Sequence, residues 1–170
     1  MNKYKIDLSS FTDNGGYSTF YNLKSYDKIA FKEFTSKKKA IYARKIQVKL
    51  AKYNLAPKVY SKICKIQFDK HFINQKSGWG YITEIAKTVN KVKLFDIQKI
   101  VNLIYKKTNL KFWDCHGDNL GYVIRRGKKK LVCIDTGEET WDGRSNYFGN
   151  TDPGPKCSYC LKYKCQCLGD

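Results

Sequence analysis

Asp114, Asn119 and Asp135 are the residues whose types and spacing best suit chemistry. The stretch Trp113-Asp114-Cys115-His116-Gly117-Asp118-Asn119 is followed, after the basic run Arg125-Arg126-Gly127-Lys128-Lys129-Lys130, by Ile134-Asp135-Thr136-Gly137. Phosphoryl transfer from a nucleoside triphosphate needs one carboxylate to orient or deprotonate the acceptor hydroxyl. It also needs oxygen ligands on separate loops to hold magnesium against the phosphates. Taken alone, an Asp and an Asn in a polar loop read as turn or capping residues. An apolar helical pattern before them, a hairpin after them and a second Asp closing that hairpin favour the catalytic reading.

A second cluster lies at the end of the chain, where Cys157, Cys160, Cys165 and Cys167 crowd together. Four thiolates can close a tetrahedral zinc site, and the Cys157/Cys160 spacing is a common half-site. Cys165 and Cys167 have only Gln166 between them, an unusual spacing that keeps a reduced, metal-free tail as the alternative. Cys64, Cys115 and Cys133 are scattered in apolar or motif contexts. In an intracellular protein this distribution speaks for metal binding over a disulfide framework.

The elements that must position these residues follow from periodicity. Residues 5 to 34 alternate apolar and aromatic runs with turn signals at Asp13-Asn14-Gly15-Gly16 and Ser25-Tyr26-Asp27-Lys28, which predicts strands joined by hairpins. From Ser36 to Tyr53, Ala43, Ile46, Leu50 and Tyr53 share one helical face; Asn54 and Ala56-Pro57 end it. Val59 to Phe68 and Tyr81 to Ile85 read as strands. Asp96 is the expected N-cap of a second helix, with Ile97, Ile100, Val101 and Ile104 on its apolar face to about Thr108. Leu120 to Ile124 and Leu131 to Ile134 flank the basic hairpin tip. The expected class is α+β.

These residues resemble the protein-kinase superfamily, whose catalytic loop has an Asp followed five residues later by an Asn, then a hairpin, then the Asp of the DFG motif. Asp114 and Asn119 keep that spacing, and Asp135-Thr136-Gly137 is similar to DFG with Thr for Phe. A register starting from His116-Gly117-Asp118 would put Val123 at the Asn position, so Asp118 is rejected. The resemblance implies ATP as donor, Asp114 as acceptor-orienting base, and Asn119 and Asp135 as magnesium ligands. Upstream, Asn14 to Tyr21 resembles the nucleotide-covering loop through Gly15, Gly16, Ser18 and Phe20, although Asp13 and Ser18 stand where the first and third glycines usually are. Ile29-Ala30-Phe31-Lys32 is similar to the strand bearing the phosphate-binding lysine. That match implies Lys32 on the α- and β-phosphates, with Ala30 and Phe20 over the adenine. Tyr81 to Ala86 looks like the hinge, with the main chain at Glu84 and Ala86 on the adenine edge.

The resemblance covers residues 8 to 137 and departs from the family in three places. No Asp or Glu occurs between Glu33 and Asp69, so the acid that pairs with the strand lysine is missing; the helix offers Ala43, Arg44, Lys45 and Gln47 instead. Glu84 or Glu138 remain candidates to reach Lys32. Phe112 and Trp113 replace the His and Arg of HRD. Only 35 residues follow Asp135, too few for the helical platform that binds peptide substrates. The implied architecture is a minimal kinase-like fold of the kind found in viruses and phages. It comprises a nucleotide-binding part over 1–86, a truncated second lobe over 87–150 and a Cys-rich tail over 151–170.

Charge bounds the partners. There are 33 Lys and Arg against 15 Asp and Glu, a net charge of +18, which attracts polyanions: nucleic acid, acidic protein segments, anionic lipid heads or nucleotide phosphates. Lys37 to Lys52 and the Arg125 to Lys130 tip concentrate this charge. No apolar run is long enough to span a bilayer, and the expectation is a cytoplasmic protein with no membrane span. Three function classes stand open: an atypical Ser/Thr or small-molecule kinase, a catalytically weak pseudokinase acting as a basic protein- or nucleic-acid-binding module, and a basic nucleic-acid-binding protein with a zinc tail.

Overall fold

The computed structural model describes residues 6–15, 18–67, 77–88 and 91–141. Its contacts divide the chain into two units, Met1–Val48 with Lys58–Ile85, and Lys49–Pro57 with Ala86–Asp170. Both are built from antiparallel sheet and helix, so the class is α+β. Among the described residues no helix is long and apolar enough to cross a membrane.

The first unit is an antiparallel sheet of β1 (Ile6–Gly15), β2 (Ser18–Leu23), β3 (Tyr26–Phe34), β4 (Cys64–Gln67) and β5 (Ser77–Glu84), in the order β1-β2-β3-β5-β4. Alternation along β3 divides its side chains between two faces. Phe31 joins Tyr21, Leu23 and Ile82 on one face. Phe34 joins Tyr81, Ala40 and Ala43 on the other, against helix α1 (Lys37–Ala51). Small alanines let α1 approach the sheet closely. Ser36 caps the helix, its Oγ accepting the Lys39 amide at 3.2 Å. Gly80 sits where an added Cβ would collide with the main-chain oxygen of Lys32, so the β3–β5 pairing tolerates no side chain there. β5 begins earlier than the expected Tyr81, because Ser77 to Gly80 pair with β4.

The second unit contains β6 (Lys87–Thr88), helix α2 (Leu94–Thr108), β7 (Leu120–Arg125) and β8 (Lys128–Cys133), with a three-stranded sheet in the order β6-β7-β8. The expected basic hairpin is present. Arg126 and Gly127 both have positive φ, 49° and 74°, the geometry of a two-residue turn that matches strand twist. α2 starts before the expected N-cap. Lys93 occupies that position in an extended conformation with no side-chain cap, and Asp96 lies in the first turn. There its charge favours the helix dipole without replacing a cap. Asn109 ends the helix in the left-handed region at φ 55°. Ile97, Ile100 and Ile104 are buried, as their spacing predicts.

Candidate functional site

In the second unit, the segment from Leu110 to Asn119 leaves α2 and enters β7 through a short 3-10 turn, Gly117–Asn119. Main-chain and side-chain bonds tie it to the segment after β8. Asn119 Nδ2 donates to the main-chain oxygen of Asp114 at 2.8 Å, and the Ile134 amide donates to the Asn119 carbonyl at 3.0 Å. Trp113 N donates to Thr140 O at 3.1 Å. Beneath these bonds Phe112 stacks on the fully buried Trp141, with centroids 4.6 Å apart and planes 10° apart. The structure therefore brings Asp114, Asn119 and Asp135 onto two adjoining loops of one unit.

Asp135 is held at both oxygens. Oδ1 accepts the Gly137 amide at 2.9 Å and Oδ2 accepts the Thr140 hydroxyl at 2.8 Å. Its main-chain oxygen accepts from Trp141 Nε1 at 3.2 Å and from the Cys133 thiol at 2.9 Å. Each carboxylate oxygen has a second lone pair, so these bonds fix the group's orientation while leaving acceptor capacity. Trp113 Nε1 and Thr136 Oγ1, next to the two acids in sequence, are buried without a hydrogen-bond partner among the described residues. Such orphaned groups cost stability and are tolerated where something else is selected.

His116 is the residue that sequence reasoning passed over. Its Nε2 lies 3.7 Å from Asp114 Oδ2 and its Nδ1 3.5 Å from Asp118 Oδ2. Asn119 Nδ2 is 3.0 Å from Nε2. With the amide donating, Nε2 is an acceptor and the proton sits on Nδ1, facing Asp118. The imidazole thus stands between the proposed base and a second carboxylate. The signal was in the sequence as His-Gly-Asp, but it served there only to test a register. Cys115, beside Asp114, is buried; burial first, and the Asp114 charge second, push its thiol up to about 12, which disfavours the thiolate.

In the first unit Lys32 is 1% exposed on β3, opposite Phe20 on β2 and Tyr81 on β5. Its ammonium lies 5.2 Å from the centroid of the Phe20 ring and 5.5 Å from that of Phe34. Ala30, two residues earlier, is buried. Of the four helix residues standing in for the missing acid, Gln47 points into the sheet. Its Nε2 donates to Thr83 Oγ1 at 2.6 Å and its Oε1 accepts the Tyr81 hydroxyl at 2.8 Å. Ala43 packs in the core, Arg44 Nε donates to Ser61 O at 2.8 Å, and Lys45 is exposed. Glu84 accepts the Lys58 amide with its carboxylate at 3.0 Å, while its own amide donates to Lys58 O.

Glu33, on the opposite face from Lys32, is the buried acid that the sequence offered no reason to expect. It accepts the Tyr21 hydroxyl at 3.0 Å, while Oε1 has no hydrogen-bond partner among the described residues. Burial raises its carboxyl above the ordinary range, with the Tyr21 bond pulling the other way. Burial and then Glu33 push Tyr21 up to about 12.

Gly15 pairs with Ser18 where β1 turns into β2. Gly16 falls outside the described residues, as do Cys157, Cys160, Cys165 and Cys167. Ala86 opens the second unit, and Gly121 lies so close to its Cβ and to Lys87 O that a side chain there would crowd them. Among the described residues no group of three or more His, Cys, Asp or Glu side chains gathers as a metal cage. Magnesium does not require one. It keeps waters and phosphate oxygens and takes one or two protein carboxylates, so an oriented Asp135 with the Asn119 side-chain oxygen is a fitting donor set. No family model matches the chain, and neither does any curated protein.

Proposed function

We propose that the protein is an ATP- and magnesium-dependent phosphotransferase of the protein-kinase-like kind, a small atypical Ser/Thr kinase. The observation that carries this reading is the bonding of Asn119 to the main chain of Asp114, together with the Ile134 amide on the Asn119 carbonyl. These bonds tie the Asp114 loop to the segment that carries Asp135, which supports reading the three residues together. In this reading Asp114 accepts the proton of the acceptor hydroxyl as the hydroxyl oxygen bonds to the γ-phosphorus of ATP and the bond to the bridging oxygen breaks, releasing ADP. Asn119 and Asp135 hold magnesium, which when bound neutralises phosphate charge. His116 acts through Asn119, whose amide its Nε2 accepts, and so helps to fix the loop that carries Asp114.

Gln47 favours a second reading. A neutral amide stands among the helix residues that replace the lysine-pairing acid, as suits a pseudokinase that binds a partner without turnover. Transfer from labelled ATP to a panel of proteins, with magnesium, separates the two. Under the kinase reading Asp114→Ala keeps ATP binding and loses about 100-fold or more in turnover, the usual worth of a positioned base. Equal trace activity in variant and parent would establish the binding module. Absence of nucleotide binding at millimolar ATP with magnesium would remove both readings.

A further inference from the structure

Helix α2 is apolar on more than its buried side. Phe95 is 72% exposed, Tyr105 52% and Leu103 37%. Within the second unit, a groove of about 360 Å³ lies between α2 and the β7–β8 hairpin. Leu55 and Ile100, both buried, line it together with Leu103, Leu131 and Tyr122. Lys99, Lys129 and Lys130 bring positive charge to the same groove. A second concavity of about 430 Å³ continues along the helix past Phe95 and Lys106, sharing Lys99 and Leu103 with the first. Of the described residues lining the two, Asp96 alone is acidic.

We propose that this groove docks an acidic amphipathic peptide segment of a partner protein. Aliphatic lining gives Leu or Phe anchors a dry seat, and the three lysines meet Asp or Glu between those anchors. α2 is about 22 Å long at 1.5 Å per residue, enough to seat several turns of a bound helix. A chain of net charge +18 adds long-range attraction for such a segment. Single-stranded nucleic acid fits less well, because successive bases need several aromatic faces to stack on and, among the described residues lining the groove, Tyr122 is the one aromatic. The proposal does not rest on phosphotransfer: a groove can dock its partner whether or not the Asp114 loop turns over.

Fluorescence anisotropy of the full chain tests it, using a labelled peptide with Leu and Phe at helical i, i+3 and i+7 spacing among Asp and Glu. Comparison probes are the same peptide with Ser at the apolar positions and an oligo-dT strand. The amphipathic peptide should bind at least about tenfold more tightly than its Ser version, since two or three apolar side chains are withdrawn from water. Leu103→Glu and the Lys129→Glu/Lys130→Glu pair should each remove most of that binding. Charge reversal at the exposed Lys38 and Lys45 of α1, which line neither concavity, should cost clearly less than either groove variant. Circular dichroism establishes that each variant folds, and the exposed Lys129 variant serves if Leu103→Glu does not. Equal binding of the Ser peptide, equal loss in the α1 variant, or no binding at low salt would overturn the proposal. Tighter oligo-dT binding that the same groove variants abolish would make the groove a nucleic-acid surface instead.

Discussion

Four charged or polar side chains of the first unit and four of the second stand in contrasting surroundings. Lys32, Glu33, Gln47 and Thr83 of the first are each at most 2% exposed and sit on strands or a helix. Asp114, His116, Asn119 and Asp135 of the second are partly exposed and stand on loops fixed by main-chain bonds. A polar group buried on a regular element must be satisfied locally, so its substitution acts first on stability. A polar group on a braced loop keeps acceptor capacity for something else, and its substitution acts first on function. Under the proposed function the second unit is where chemistry is to be sought, while the first holds the more unusual buried charges.

Gln47→Ala gives the largest stability effect that this contrast implies. It removes one partner each from the buried Tyr81 hydroxyl and from Thr83 Oγ1, which keeps its bond to Lys58 O, at a cost of about 2 kcal/mol. Urea unfolding should show the midpoint fall with an unchanged slope. A loss below about 1 kcal/mol would mean that this network is not structural, and the contrast would fail.

Glu33→Gln sharpens the comparison through pH. Burial raises the Glu33 carboxyl from its ordinary value of 4.5. An acid raised in the folded state binds its proton more tightly there than in the unfolded chain. Its stabilising share is therefore full below the unfolded value and is lost as pH rises towards the folded one. From about pH 4.5 upward the parent should lose stability while Glu33→Gln stays flatter, so thermal melts of the two should converge on acidification. Parallel curves would show Glu33 to be ionised in the fold despite its burial.

Asn119→Ala should have the smallest effect on stability, about 1 kcal/mol for one partly buried amide bond. Under the proposed function, activity should fall far more than that. Calorimetry beside a turnover assay reads both, and a loss of stability as large as that of Gln47→Ala would erase the distinction between the units.

Local pattern carried much of the fold. Ser36 at the start of α1, the three isoleucines of α2 and the Arg126-Gly127 turn act over a few residues of chain, where spacing and backbone preference suffice. The start of α2 was misplaced for the converse reason. Asp96 is a good capping type, but the apolar Leu94 and Phe95 already belong to the helix, and Lys93 begins it without a side-chain cap. The early start of β5 depends on pairing with β4, a partner that no single stretch reveals.

By itself the sequence determined the α+β class, the helical faces and the Asp114/Asn119/Asp135 spacing, because each depends on neighbours along the chain. Only tertiary structure decided that Gln47, among four helix candidates, meets the sheet hydroxyls of Tyr81 and Thr83. It likewise put Glu33 under the Tyr21 hydroxyl and opened a lysine-lined groove beside α2. Those pairings join residues far apart in sequence, and which of several similar side chains meets a given partner is set by strand register and helix rotation, quantities that emerge only when the elements pack.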